Sequence, residues 1–239
     1  MKFIPLILDF ISPRFCVSCN VTLFTDQKFI CEKCFSNIST LQDHEINSEF
    51  DRKFNHNNLV DDYNSLFLFE EEGPLQDLIH NLKYNQKFKI GIFLGEKLGE
   101  GKKDIIAGWN VDYIIPIPLY HLKRIERGYN QALYIAKGLS KTSKIKINES
   151  CVKRVKNTLS QTKLSNEERK GNMLGAFKVK SSKSIKGKNI IILDDVITTG
   201  TTVIELAKVL KKHGANKVFS LSVATPPFLH SIGSTNSEN

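Results

Sequence analysis

The sequence lacks a hydrophobic run long enough to cross a membrane, for which about 20 consecutive apolar residues are needed. Its apolar N-terminus, MKFIPLILDF, is interrupted by Pro5 and Asp9 and has no Ala-x-Ala cleavage site. The stretch therefore predicts a packed helix rather than a signal peptide, and we expect a cytoplasmic protein without a membrane span. The glycine-rich motifs of P-loop and dinucleotide-binding proteins are absent, as is the G-x-S-x-G motif of hydrolases, which excludes those common kinds of site.

Acidic residues are scarce in the middle of the chain. Residues 121–189 hold 18 Lys or Arg against 4 Asp or Glu, while the whole chain of 239 residues has a net charge of +9. This excess predicts a basic face that meets phosphate, nucleic acid or another anionic surface. The alternative is a set of solvated lysines that have no partner.

Cysteines are few, and four of the five form two Cys-x-x-Cys pairs: Cys16, Cys19, Cys31 and Cys34. This spacing is typical of a zinc ribbon, because each pair offers two thiolates to one tetrahedral ion. Two disulfides are the alternative, which a reducing cytoplasm disfavours. Four thiolates leave no open position on zinc, so the predicted role is structural. Cys151 stands alone, and we assign it no chemistry.

The chain divides into four predicted regions. Residues 1–41 form an N-terminal helix and the zinc ribbon, and residues 42–58 form a polar linker or surface hairpin in which His44 and His56 are expected to be solvated. Residues 59–227 alternate apolar strands with helical patterns, which predicts an α/β fold with a parallel sheet and crossover helices. Residues 228–239 are expected to be a disordered tail.

One stretch combines acids and hydroxyls at the end of a predicted strand. Asp194 and Asp195 follow the apolar residues 190–193, and the loop that leads into the next predicted helix contains Thr198, Thr199, Gly200, Thr201 and Thr202. Backbone N–H groups at a helix N-terminus attract an anion, and the threonine hydroxyls add donors. Carboxylates accept hydrogen bonds only, so they suit sugar hydroxyls or hydrated magnesium. The motif therefore predicts a sugar-phosphate site, whereas a simple helix cap would explain only one of these groups.

This stretch resembles the signature of type I phosphoribosyltransferases, which bind 5-phosphoribosyl-1-diphosphate with magnesium. A longer pattern resembles one branch, the ComF family of competence-associated proteins, over roughly residues 1–225. It comprises the cysteine pairs, Leu82-Lys83-Tyr84, Ile115-Pro-Ile-Pro118, the blocks at 124–132 and 161–172, and the acidic signature. The resemblance implies a type I phosphoribosyltransferase-like sheet with a small N-terminal zinc ribbon.

The resemblance also implies roles for individual residues. Asp194 and Asp195 would hold the ribose hydroxyls, and residues 198–202 would cradle the 5-phosphate. Arg124 and Arg127 would meet pyrophosphate, for which a paired guanidinium donor is suited. A hood over the substrate would carry Lys153, Arg154, Lys156 and Lys163, although a disordered basic loop is the alternative. Asn130 and Gln131 either contribute to this site or cap the following helix.

Two kinds of function remain open. In the first, the chain is a phosphoribosyltransferase, although the sequence identifies neither its acceptor nor a general base. In the second, it is a non-catalytic protein of natural transformation that senses the ligand and binds single-stranded DNA. The family's competence role would then imply DNA uptake and other competence proteins as partners, and Tyr120 and Tyr129 could stack on bases. The oligomeric state is open in both.

Overall fold

The computed structural model describes residues 13–24, 26–157 and 173–227. Its centre is a sheet of five parallel strands in the order β1-β7-β6-β2-β3. These strands are β1 (Asp62–Leu68), β2 (Tyr113–Pro116), β3 (Lys146–Ile147), β6 (Asn189–Val196) and β7 (Lys217–Thr225). A separate antiparallel pair consists of β4 (Val152–Arg154) and β5 (Phe177–Val179). The predicted parallel sheet with crossover helices is confirmed.

Eight α-helices lie within the described residues. They are α1 (Glu32–Ser36), α2 (Asp43–Lys53), α3 (Pro74–Tyr84), α4 (Phe88–Gly101), α5 (Lys103–Gly108), α6 (His121–Arg127), α7 (Gln131–Ser143) and α8 (Thr201–Lys212). A short 3-10 helix covers Ser182–Ser184. In the part of the chain that the structure describes, no helix is long and apolar enough to cross a bilayer.

The sheet is buried on both faces, as the continuous apolar run of β6 predicts. Successive side chains of a strand point to opposite faces, so Ile191 and Leu193 join one hydrophobic cluster and Ile190 and Ile192 join another. The first cluster includes residues of α3, α4 and α7, and the second includes residues of α2 and α8. The helices therefore form a layer on each side of the sheet.

Helices α4 and α7 pack with unusually close backbones. A Cβ atom on Gly138 of α7 would lie 2.0 Å from the carbonyl oxygen of Ile92 in α4, so only glycine fits at this position. This close approach holds α7, whose first residue lies beside the strand ends, against the rest of the helical layer.

The interpretation of residues 42–58 as a polar linker or hairpin is wrong in its local structure, because most of this segment is the helix α2. The helix begins with a capping box between Gln42 and Glu45 and buries Ile46, Glu49 and Lys53. His44 and His56 are exposed, as expected of solvated histidines. The predicted N-terminal helix and the predicted disordered tail lie outside the described residues, and the domain boundaries stay a prediction.

The strand order creates an opening between β2 and β6. The chain leaves β2 for α6, α7 and the outer strand β3, whereas it leaves β6 for α8 and β7 on the other side. Connections that diverge from two neighbouring parallel strands leave a crevice at their carboxyl ends, where α/β sheets bind ligands. The predicted sugar-phosphate motif begins at this end of β6.

Candidate functional site

A polar pocket occupies the crevice at the carboxyl ends of β2 and β6. Its walls come from three parts of the chain: the end of α3, the segment 117–132 after β2, and the segment 194–203, which comprises the end of β6 and the loop and helix start that follow it. Arg154 of β4 completes the lining. The residues that carry charge or hydroxyl groups there are Lys83, Lys123, Arg127, Arg154, Asp194, Asp195, Thr198, Thr199, Thr201 and Thr202.

The loop between β6 and α8 forms one wall of the pocket. Gly200 is the N-cap residue of α8 with φ of 74°, and the helix has no side-chain cap. The left-handed conformation favours glycine, since it carries no Cβ atom. The hydroxyl oxygens of Thr199 and Thr201 lie 3.0 Å apart. The first-turn N–H groups and the hydroxyls therefore line the same side of the pocket as donors for an anion.

The two carboxylates at the end of β6 have different electrostatic environments. The Nζ atom of Lys83 lies 2.7 Å from Oδ2 of Asp195. Burial alone would raise the pKa of Asp195, but the Lys83 ammonium holds this pKa below its ordinary value. Burial and the neighbouring Asp195 carboxylate raise the pKa of Asp194 well above its ordinary value. A cation bound near Asp194 would relieve this repulsion, so the pair fits a divalent ion or a donor hydroxyl.

Three further cations surround the acids. Lys123 and Arg127 lie on α6, and Arg154 lies on β4. Burial lowers the pKa of Lys123, and the positive charges of Arg154 and Arg127 lower it further. Burial also lowers the pKa of the Arg154 guanidinium, and Asp194 opposes this shift. Because the cations repel one another, a multiply charged anion between them is electrostatically favoured.

Two cations of this pocket were not predicted from the sequence. Lys83 is there only part of the family pattern, and no sequence motif assigns a role to Lys123. The spacing of Lys123 and Arg127 was an available signal, because residues four apart share one face of a helix. Nothing in the local sequence indicates that Lys83, 112 residues before Asp195, is its ion-pair partner.

The residues expected to bind pyrophosphate or to form the hood lie in different parts of the structure. Arg127 lines the pocket, Arg124 and Lys153 line a neighbouring groove, and Arg154 lines both. Lys156 donates a hydrogen bond to the carbonyl oxygen of Leu174 and lies in neither. Lys163 lies outside the described residues, as does most of the predicted hood.

The sequence left open whether Asn130 and Gln131 contribute to the site or cap α7, and the structure gives the two residues different roles. The side-chain oxygen of Asn130 accepts a hydrogen bond from the N–H of Ala132 at 3.2 Å, which makes Asn130 the N-cap of α7. Gln131 is buried and lines the pocket, and its Oε1 has no hydrogen-bond partner among the described residues. Asn130 also lines the pocket, so capping does not remove it from the site.

The four clustered cysteines form a second candidate site. Their sulfur atoms all lie within 4.8 Å of one another, and the Sγ atoms of Cys19 and Cys31 are 3.6 Å apart. Zinc–sulfur bonds of about 2.3 Å place the sulfurs of a tetrahedral site about 3.8 Å apart. The backbone N–H of Cys31 donates a hydrogen bond to Sγ of Cys16 at 3.4 Å, which favours a thiolate. The donor set and spacing could therefore hold a metal ion.

The chain is similar in sequence to known bacterial proteins over 61% of its length. A model for the phosphoribosyl transferase domain matches residues 131–227. Competence protein F of Haemophilus influenzae is 36% identical over 149 residues, which cover 61% of this chain and 65% of that protein. DNA utilization protein YhgH of Escherichia coli K12 is 31% identical over 151 residues, which cover 61% of this chain and 64% of that protein. The match thus spans slightly less than two thirds of these relatives.

A shorter match links the chain to a third protein. Ribose-phosphate pyrophosphokinase of Pyrococcus furiosus is 54% identical over 35 residues, which cover 15% of this chain and 12% of that protein. The longer matches agree with the resemblance drawn from the motifs. The parallel sheet with its helical layers and the four-cysteine cluster agree with it as well. The chain is therefore a homologue of competence protein F and of YhgH over about 150 residues, and its residues 131–227 match the phosphoribosyl transferase domain.

Proposed function

We propose that the chain binds 5-phosphoribosyl-1-diphosphate together with magnesium in the pocket between β2 and β6. The observation that carries this proposal is the combination of two carboxylates, four cations and a hydroxyl-rich helix N-terminus around one pocket. The loop Thr198–Thr202 suits the 5-phosphate, because its N–H and hydroxyl groups are donors. The carboxylates of Asp194 and Asp195 suit the ribose hydroxyls, which donate.

The cations that line the pocket suit the diphosphate. Arg127 and Lys123 approach from α6, and Arg154 approaches from β4. A guanidinium donates in pairs to phosphate oxygens and stays charged when buried, so Arg127 and Arg154 are the stronger candidates. Magnesium, when bound, would neutralise part of the diphosphate charge. The raised pKa of Asp194 supports a bound cation nearby, since a cation would favour its charged form.

Transfer of the phosphoribosyl group is the second step of the proposal. The bond between C1 of the ribose and the diphosphate would break, the pyrophosphate would leave with the bonding electrons, and an acceptor nucleophile would bond to C1. The cations around the pocket would stabilise the leaving group, and the acids would stabilise positive charge on the ribose. The acceptor's lost proton would pass to solvent, because no residue of the pocket is assigned as a general base.

Calorimetry with 5-phosphoribosyl-1-diphosphate and magnesium tests the binding step. We expect the double variant Asp194→Asn/Asp195→Asn to lose most of the affinity, because amides bind magnesium and ribose hydroxyls more weakly than carboxylates. The control is Asp112→Asn, which removes a carboxylate paired with Lys188 beside the other end of β6. Equal affinity in the wild type and the double variant would contradict the site assignment.

A groove beside the pocket supports a second candidate function, the binding of single-stranded DNA. The groove contains Arg124, Lys153 and Lys180 together with the rings of Tyr120 and His121. Cations that follow a phosphate backbone and aromatic rings that stack on bases are the usual elements of such sites. Tyr129 does not belong to them, because its hydroxyl donates to the Leu82 carbonyl and its ring packs against other aromatic residues.

A fluorescence titration with labelled single-stranded DNA tests this second function. We expect binding that weakens steeply as salt rises, and weaker binding in Arg124→Ala/Lys153→Ala. The control variant Lys97→Ala/Lys141→Ala removes two lysines from α4 and α7, outside the groove, and should bind as the wild type does. Absence of binding at low salt would rule out this function. The similarity to a protein named for DNA utilization supports testing it.

We further propose that the four-cysteine cluster holds one structural zinc ion. All four ligands would be cysteine thiolates, so such an ion would have no position for substrate. Metal analysis of the purified protein should return about one zinc per chain. A folded protein that contains no metal would contradict the assignment.

A further inference from the structure

A fully buried lysine lies directly behind the loop that we assign to the 5-phosphate. The Nζ atom of Lys53, at the end of α2, donates a hydrogen bond to the carbonyl oxygen of Ile197 at 2.8 Å. It also donates to the hydroxyl oxygen of Thr225, which in turn donates to the same Ile197 carbonyl at 2.8 Å. The side chain of Lys53 is 0% exposed. The peptide that begins the loop is therefore held by two donors from behind.

The charge of Lys53 is balanced within the protein. Oε2 of Glu49 lies 2.6 Å from its Nζ, and Arg52 contacts the same carboxylate oxygen at 2.6 Å. Burial lowers the pKa of Lys53 to about 8, and the Glu49 carboxylate opposes this shift. Burying an ammonium group costs much desolvation free energy, and a hydrophobic residue would fill the same space without this cost. Stability alone therefore does not explain the lysine.

The geometry of the peptide bond gives the lysine a second effect. The peptide bonds of the loop are trans, so the carbonyl of Ile197 and the N–H of Thr198 point in opposite directions. Lys53 and Thr225 fix the carbonyl toward the protein interior. The N–H of Thr198 consequently points away from the interior, on the side where Thr198 lines the pocket.

The residue after Lys53 supports the other end of the same loop. A Cβ atom on Gly200 would lie 2.7 Å from Cε1 of Phe54, so the Phe54 ring occupies the space under this glycine. Phe54 is fully buried and also packs against Tyr63 with ring centroids 5.4 Å apart. The loop thus rests on two consecutive residues of a segment that lies outside the region matched by the phosphoribosyl transferase model.

We propose that Lys53 is a positioning residue that orients the phosphate-binding loop, with Phe54 as the apolar support beneath it. This inference rests on the proposed function, since it assumes that the loop binds a phosphate group. Lys53 acts through the Ile197 peptide and touches no ligand. Its removal should leave the fold intact when Glu49 is neutralised as well, yet it should weaken phosphate binding.

The test is the binding of ribose 5-phosphate, measured by calorimetry for the full chain. We expect Glu49→Gln/Lys53→Met, which removes the buried carboxylate and the buried ammonium together and leaves only the 39% exposed Arg52 without this carboxylate, to unfold cooperatively and to bind about 10- to 100-fold more weakly than the wild type. The control is Leu98→Ala, a fully buried residue of α4, which should lose stability and keep its affinity. A second readout is the amide resonance of Thr198, which should shift on binding in the wild type and the control only.

Each result has a defined consequence. If the wild type does not bind ribose 5-phosphate, the proposed function and this inference both fail. If the wild type and the folded double variant bind equally well, only the inference is overturned. If the double variant does not fold, Thr225→Val carries the test, because it removes the second donor to the Ile197 carbonyl at constant side-chain volume. Unchanged affinity in Thr225→Val would then overturn the inference.

Discussion

Replacing Lys83 by methionine tests whether the acidic pair at the end of β6 depends on one cation. The Nζ of Lys83 lies 2.7 Å from Oδ2 of Asp195, and the two side chains are 24% and 10% exposed. Breaking a fully buried ion pair costs about 3–5 kcal/mol, because the remaining charge is left without compensation. Since Lys83 is partly solvated, we expect Lys83→Met to lower the free energy of unfolding by about 2–3 kcal/mol at neutral pH.

An exposed pair with almost the same geometry provides the control. The Nζ of Lys97 lies 2.8 Å from Oε2 of Glu100, and these side chains are 37% and 55% exposed. Exposed pairs contribute little, so Lys97→Met should change the free energy of unfolding by less than about 1 kcal/mol. The comparison isolates the effect of burial on an ion pair of fixed length.

The effect of Lys83→Met should depend on pH in a defined direction. In the wild type the pKa of Asp195 is lowered, so the pair stabilises the fold fully above the ordinary pKa and loses this effect as pH falls through the lowered value. In the variant, burial without the cation raises this pKa, so acid neutralises an unfavourable charge. The difference between the two proteins should therefore be smaller at about pH 5 than at about pH 7.5.

Urea unfolding followed by circular dichroism at both pH values measures these free energies. The reasoning is refuted if Lys83→Met and Lys97→Met have equally small effects at neutral pH. It is also refuted if the loss in Lys83→Met is the same at both pH values, since the lost interaction would then not involve the ionised Asp195.

Three other outcomes are expected. Gly138→Ala should lower the free energy of unfolding by about 3 kcal/mol or more in urea titrations, because the new Cβ would lie 2.0 Å from the Ile92 carbonyl oxygen. Removal of metal from the four-cysteine cluster by a chelator should lower the thermal midpoint, and zinc but not magnesium should restore it. Magnesium-dependent binding of 5-phosphoribosyl-1-diphosphate should strengthen with rising pH, because the pKa of Asp194 is raised and the carboxyl group must lose its proton on binding. Calorimetry in buffers of different ionisation enthalpy measures this proton release.

The parallel sheet with crossover helices could be predicted because the chain after residue 59 alternates apolar strands with helical patterns. The apolar run 190–193 predicted a central parallel strand, and the acids and threonines after it predicted the loop that lines the pocket. These signals are local, since each lies within about ten residues of chain.

Helix α2 could not be predicted because its buried face is partly charged. Ile46, Phe50 and Phe54 have helical spacing, but Glu49 and Lys53 lie on the same buried side. In a sequence, charged residues such as these normally predict a solvent-exposed surface. Glu49 and Lys53 pair with each other, and Lys53 bonds to a loop 144 residues away. This second contact depends on the tertiary fold, so the local sequence does not show it. The position of Lys83 in the pocket depends on packing in the same way.

The position of β7 between β1 and β6 has a consequence for how the protein folds during synthesis. β1 begins at Asp62, yet among the described strands its neighbour in the five-stranded sheet is β7, which ends at Thr225. Residues 39–41 bond to the other edge of β1, but β1 cannot join the sheet until β7 has been made. Contacts of such long sequence separation slow folding and leave unpaired strand edges exposed in the meantime. A nascent chain that stops before β7 would present the open edges of β1 and β6, and chaperone binding should be strongest at that stage.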